Sequence, residues 1–391
     1  MEAPGLVVHC QSAPHAGKST LKGQRELPKH VPVRMTPIVV VLLLACSLAS
    51  ADLLVSSFNN GRVYRFNDRT GQYVDTFVPN ANGLLSLPHG LAFGPDGRLY
   101  VASAGNDAVL RYDGTNGSFL NAFISPGTGG LDYPVWLEFR GNSLYISSQL
   151  NNQVLRYNAI SGAFIDALVS SNSNGGLNGP SGMTWGPDGH LYVVGRFGNH
   201  VMRYDGTNGT FIDAFVPAGV GGLAQPFGCK FGPDGHLYVV SGNNNRVVRF
   251  NGANGAPLGD FTTGGLAFPI GLEFGPATDL YVASFSNHRI VRFNGVTGAL
   301  VGDFVTAGTT GLNGPNFMLF HDFGPPRIAS ITRAQTNVVV AWVGRADTRL
   351  EFTTNLGQPL WQGVPESPGR SSDTNAVTGN ARFYRLVRDA Q

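Results

Sequence analysis

The sequence predicts an all-β fold: a six-bladed β-propeller closed by pairing its N- and C-terminal strands, followed by a small C-terminal β-sandwich. Three observations lead there. Prolines recur at Pro88, Pro134, Pro180, Pro226, Pro269 and Pro315, spaced 46, 46, 46, 43 and 46 residues apart. Each is followed at the fifth position by an aromatic, namely Phe93, Phe139, Trp185, Phe231, Phe274 and Phe320. Five units then continue through a tight turn into a second strand that begins Leu-Tyr. Short apolar runs repeated at that period, with turns between them, are the signature of small antiparallel sheets set radially around an axis.

The first residues stand outside this array. The apolar run from Ile38 to Leu44 follows Arg34 and ends in Ala49-Ser50-Ala51, a small-x-small site. It reads as a signal peptide cleaved after Ala51, which makes residues 1–51 a leader. The run is too short to span a membrane. The long stretch before Met35 leaves Met1 and Met35 as alternative starts, and Leu43-Leu44-Ala45-Cys46 offers a weaker lipoprotein site because Leu44 suits it poorly. The expectation is a secreted, periplasmic or cell-surface bacterial protein with no transmembrane segment in the mature chain.

The chain has 391 residues, 42% of them hydrophobic and only 13% charged, which argues for sizeable cores and against disorder. The formal net charge is +2. The leader holds Lys18, Lys22, Arg25, Lys29 and Arg34 against Glu2 and Glu26, so the mature chain is slightly acidic and a nucleic-acid partner is disfavoured. Of three cysteines only Cys229 lies beyond the leader, so packing must supply the stability that disulfides give other exported proteins.

Residues 52–323 parse into blades of four strands. Gly94-Pro95-Asp96-Gly97, Gly186-Pro187-Asp188-Gly189 and Gly232-Pro233-Asp234-Gly235 join first to second strands, with proline fixing φ and glycine supplying a positive φ. Asp52 to Phe77 supplies strands two, three and four without a first, and Pro315 to His321 supplies a first strand without a continuation. Together they make the sixth blade and remove the exposed sheet edges. Burying each fifth-position aromatic between blades contributes about 1.5–3 kcal/mol.

The units resemble the NHL repeat family, most clearly in Leu280-Tyr281-Val282-Ala283-Ser284-Phe285-Ser286-Asn287-His288-Arg289-Ile290-Val291-Arg292-Phe293-Asn294. The resemblance covers 52 to about 323 and implies a propeller whose role is not fixed by its fold. It departs at the second-strand position where NHL units often carry an acidic residue, here Ser57, Ser103, Ser148, Gly195, Ser241 and Ser284. After Gly324-Pro325-Pro326, read as a hinge, residues 327–391 show short strands at Arg327 to Thr332, Asn337 to Trp342, Arg349 to Thr354, Leu360 to Val364 and Arg382 to Val387. That segment looks like a C-terminal fibronectin-like module of exported bacterial proteins.

Function must lie in what differs between blades. Arg65, Arg111, Arg156, Arg203, Arg249 and Arg292 repeat, and each is expected to pair with a strand-four residue, in turn Asp75, Asn121, Asp166, Asp213, Asp260 and Asp303. The position four residues after each proline does not repeat: Ala92, Glu138, Thr184, Lys230, Glu273 and Leu319. Charges on axial strands must pair or face water. Lys230 and Glu273, on adjacent blades, suit an ion pair, whereas Glu138 lacks an evident partner and is the best candidate for a ligand contact. Two residues after the proline, four blades carry glycine but the others carry Trp136 and Phe317, an aromatic wall or a filling of the channel.

His89 is the only histidine at its ring position, which leaves a multi-histidine zinc site unsupported. The loops between second and third strands are rich in Asn and aromatics, including Phe197 and the run Asn243-Asn244-Asn245. Amides beside aromatics suit a glycan, peptide or protein ligand, although Asn also forms turns. The expected site is thus Glu138, Trp136, Lys230, Glu273, His89, Phe197 and Phe317, in a non-catalytic binding or scaffold propeller without a cofactor. The alternative is a metal-dependent lactonase or lyase, with a calcium or magnesium ion at the channel.

Overall fold

The computed structural model describes residues 51–80, 84–262, 264–308 and 311–323, and the backbone of six further strands between 327 and 388. Residues 1–50 of the expected signal peptide, and the hinge at 324–326, lie outside the described residues. Among the described residues no helix is long and apolar enough to cross a membrane.

Six four-stranded antiparallel sheets form the propeller. In the blade opened by Pro88 the strands are Pro88–Phe93, Leu99–Ser103, Ala108–Tyr112 and Phe119–Ile124 in spatial order. The second strand is buried throughout because both of its faces meet neighbouring blades, which explains why Leu-Tyr-Val-Ala-Ser shows no polar alternation. Ring closure is as expected. Pro315–Asp322 pairs with Ala51–Ser57, Leu53 opposite Phe320 and Val55 opposite Met318, and Arg62–Phe66 and Tyr73–Val78 complete that sheet. The Ser56 hydroxyl donates to the Phe317 carbonyl at 3.0 Å and accepts from its amide at 3.0 Å.

The fifth-position aromatics do sit between blades. Phe139, Trp185, Phe231, Phe274 and Phe320 each meet the second-strand tyrosine of the preceding blade edge to face, with ring centroids 4.8–5.2 Å apart. The closing blade has Leu54 at the tyrosine position, and Phe93 stacks instead on His321. The same tyrosines anchor the turns: Tyr100, Tyr192 and Tyr238 donate to Asp96, Asp188 and Asp234.

The expected arginine pairing holds in four blades and fails in two. Arg65, Arg156 and Arg203 bind Asp75, Asp166 and Asp213, and Arg111 donates to Asn121 at 3.1 Å. Arg249 and Arg292 instead face Gly259 and Gly302 across the ladder, because Asp260 and Asp303 come one residue later. A shift of one residue turns a strand side chain to the other face. Asp260 and Asp303 therefore pair with Arg246 and Arg289, and Arg249 and Arg292 turn to Asp234 and Asp279.

Each inner strand is bulged just after its proline, as between Pro88 and Leu91. There the glycines at the second position let adjacent inner strands touch. A Cβ on Gly182 would stand 2.6 Å from the Phe227 carbonyl oxygen and 2.8 Å from Gly228 Cα.

Beyond the propeller, Arg327–Ala334, Asn337–Val343 and Ser372–Ala376 form one three-stranded sheet, and Thr348–Thr353, Gln362–Gly363 and Phe383–Arg388 another. The strand Ser372–Ala376 has no counterpart in the sequence reading, since Ser-Asp-Thr-Asn-Ala carries no β-type apolar pattern.

Candidate functional site

Inner strands run from the face that carries the second-to-third-strand loops toward the face that carries the Gly-Pro-Asp-Gly turns. Position four after each proline therefore lies in the turn-side half of the axis. There Ala92, Glu138, Thr184, Lys230, Glu273 and Leu319 surround a cavity of about 170 Å³, with Trp136 and Cys229 also in its wall. The Lys230 ammonium donates to both Glu273 oxygens, one at 2.6 Å, so the ion pair expected between these blades forms. Glu138 shares the cavity without a hydrogen bond of that kind. Burial pushes its carboxyl pKa up, while Lys230 and the nearby Trp136 indole favour the anion. Cys229 is buried, its thiol pKa raised by that burial first and then by Glu138, which disfavours the thiolate.

Trp136 touches Phe317 edge to face at 4.8 Å. With Val135, Phe227 and Ile270 these rings fill the loop-side half of the axis. The predicted site residues thus divide. Glu138, Lys230, Glu273 and Trp136 meet in the turn-side cavity, His89 and Phe317 belong to the loop-side filling, and Phe197 lies beyond it on the loop surface, 48% exposed. Among the described residues no three His, Cys, Asp or Glu side chains are placed to hold a metal ion. The Glu273 carboxylate is engaged by Lys230, so the cavity does not fit the divalent ion that the lactonase or lyase alternative requires.

Most loop amides serve the scaffold. Asn60, Asn106, Asn151 and Asn244 donate to backbone carbonyls of the preceding loop, at Gly311, Leu84, Gly130 and Gly222. The last loop residues, Asp107, Asn152, Asn199, Asn245 and His288, each accept from the backbone N–H just before the next blade's proline. That stitches blade to blade. The second-strand serines clamp the same segment from below, Ser103 to both backbone groups of Ser86 for instance. These serines occupy the position where the NHL-type acidic residue is missing.

The residue before each proline is left-handed in all six blades. Gly179 and Gly314 adopt this conformation freely, but Leu87, Tyr133, Gln225 and Phe268 hold φ between 45° and 53°. A side chain there costs of order 1–3 kcal/mol, and such strain gathers at functional sites. Tyr133 and Phe268, two of these residues, pack partly buried against the axial cluster. Phe58 contacts His89 at 5.1 Å and Phe285 at 5.7 Å, Phe285 meets Phe268, Phe268 meets Phe227, and Tyr133 contacts His89 at 5.5 Å. Arg196 closes this crown, its guanidinium 4.2 Å from the Phe227 ring centre and 5.1 Å from that of Phe197. Arg196 escaped the sequence reading because it occupies a loop position that is Phe58, Ala104, Gln149, Gly242 and Phe285 elsewhere, and only an alignment of that column exposes it.

His89 is 4% exposed, and its Nδ1 lies 2.8 Å from the Asn316 amide nitrogen. Burial first, and then Arg196, push its pKa from 6.5 down to about 3, against a smaller rise from Asn316. The folded ring is therefore neutral, and with the Asn316 amide nitrogen facing Nδ1 the matching tautomer has Nδ1 as acceptor and the proton on Nε2, an atom without a partner. A depressed histidine pKa contributes stability above pH 6.5 that is lost as pH falls through the folded value near 3. His200 and His321, also lowered by burial, act in the same direction. His89→Phe should keep the ring in the aromatic cluster and remove one proton from the acid lability, up to about 1.4 kcal/mol per pH unit within that window. Urea midpoints from pH 7 to pH 4 measure this, and an unchanged profile would mean that His89 titrates normally.

No protein-family model matches the chain, and no curated protein sequence matches it. Solved structures do. A chain in the crystal structure of a nidogen/laminin complex is 16% identical with a TM-score of 0.56, the alignment covering 69% of this chain and 98% of that one. A Bacteroides caccae protein of unknown function is 14% identical with a TM-score of 0.53, covering 70% and 99%. Virginiamycin B lyase from Staphylococcus aureus aligns at 17% identity over 71% and 84%, with a TM-score of 0.44. At such identities the first two share the propeller fold with this chain, and the third adds nothing to that.

Proposed function

We propose that this chain is an exported, non-catalytic NHL-like propeller that binds a peptide or protein segment on its loop face. The observation that carries this reading is the crown of Phe58, Tyr133, Phe268, Phe285, Phe197 and Arg196 around the axis, part of it held by strained backbone. Aromatics and arginine in a rimmed, partly desolvated patch are the usual anchors of protein recognition. The crown favours a peptide over a glycan, because the loop amides that a sugar would use are bonded to backbone. A propeller of the same fold, in the nidogen/laminin complex, belongs to a protein assembly, which is consistent with this role.

An array of short random peptides probed with the full chain provides the test. Bound peptides should lose roughly tenfold or more in affinity on Phe197→Ser and on Phe285→Ala. Phe197 is the cleaner probe, being the more exposed and the less involved in packing. An array without binders, or binders indifferent to both substitutions, would overturn the reading.

A further inference from the structure

We infer that the crown carries a carboxylate-binding subsite, made by the Arg196 guanidinium and the His89 Nε2–H, that takes a carboxylate of the bound peptide. The inference rests on the peptide-binding reading and specifies the ligand's chemistry.

Arg196 is partly buried, yet its side chain makes no ion pair and no hydrogen bond with the described residues. Its Nε is fully enclosed and without a partner. An enclosed N–H without an acceptor is costly, and every other axial or ladder cation named above has an acceptor. The second, independent observation is His89. It is more than nine-tenths buried, its Nδ1 is turned to Asn316, and Nε2 on the opposite edge has no partner. The ring lies among Phe58, Tyr133 and Phe317, within electrostatic reach of Arg196. Two donors without partners, one cationic and one neutral, thus belong to the same crown.

The sum of charges selects the ligand. One guanidinium beside a neutral imidazole offers a single positive charge among aromatic rings, which a monoanion neutralises and a dianion would overshoot. The planar guanidinium matches the two oxygens of a carboxylate. The flanking rings then accept an apolar neighbour of that carboxylate.

N-acetylphenylalanine carries the carboxylate on the main chain, N-acetyl-Phe-Glu-amide on a side chain, and N-acetyl-Phe-Gln-amide lacks it. Each is titrated calorimetrically into the full chain. At least one acidic probe should bind, the neutral probe should not, and Arg196→Gln should weaken the acidic probe at least about tenfold. Arg196→Lys, which keeps the charge, should weaken it less and guards against a folding defect. Which acidic probe binds tells a chain terminus from an Asp or Glu side chain. No acidic probe binding, equal binding of the neutral one, or indifference to Arg196→Gln would overturn the inference. Array peptides that need Phe197 but neither Arg196 nor a carboxylate would leave the peptide-binding reading standing while this inference falls. Arg196-dependent binding of an acidic probe with a blank array would do the reverse.

Discussion

Gly182→Val should lower unfolding stability by about 3 kcal/mol, one of the largest effects of any single substitution in this chain. The new side chain would start 2.6 Å from the Phe227 carbonyl oxygen and 2.8 Å from Gly228 Cα, both backbone atoms of the adjacent inner strand. A flexible side chain could swing aside. A strand cannot, because a Cβ on Gly228 would in turn stand 2.8 Å from the Ile270 carbonyl oxygen and one on Gly271 2.4 Å from that of Asn316, so the next strands leave no room and relief at one blade would have to propagate round the axis. Gly97→Ala is the comparison. Gly97 is left-handed at φ 71° with open space where a Cβ would stand, so its cost is conformational alone, about 1–2 kcal/mol. Equal urea midpoints for the two variants would mean that the inner strands are looser than the fold implies.

Lys230→Met should cost about 1–3 kcal/mol at neutral pH, between the values for exposed and fully buried ion pairs. The pair is intermediate in exposure, 35% for the Lys230 side chain and 12% for Glu273. Removing the cation leaves two carboxylates, Glu273 and Glu138, facing one small cavity. The sign with pH follows from Glu138. Its folded pKa is already raised above 4.5, so its folded form is most favoured at low pH and loses ground as pH rises through the raised value. Without Lys230, which now supports the anion, that value moves up further. The deficit of Lys230→Met should therefore shrink as pH falls, and adding Glu273→Gln should restore much of it. A deficit that grows in acid would contradict this electrostatic account.

The fold was legible because the repeat is written in residues that do the same job six times. Proline opens each inner strand, the fifth-position aromatic bridges to the next blade, and the Leu-Tyr strand is buried on both faces. The Lys230–Glu273 pair was legible too, since adjacent blades bring equal positions together. What escaped reading was register and depth. Asp260 and Asp303 look equivalent to Asp213 but follow their arginines by one residue more, and a single step reverses the facing side. The odd residues of the inner strands look like one group, yet the Trp136–Phe317 contact divides the axis and separates Glu138 from His89. Arg196 was hidden because an odd residue in one loop column carries no meaning until its missing partners are seen in three dimensions.

The stitches between blades also give the ring a direction and a weak seam. Each of five blades hands one side chain forward, from Asp107, Asn152, Asn199, Asn245 or His288, to the backbone of its successor. The closing blade has Gly61 at that position, left-handed like the others but with nothing to offer Leu87. The blade assembled from both ends of the chain is therefore latched behind by His288 and unlatched ahead. Breathing motions of the ring should start at that junction, which the Phe58–His89 contact of the crown spans, so the crown would loosen there first.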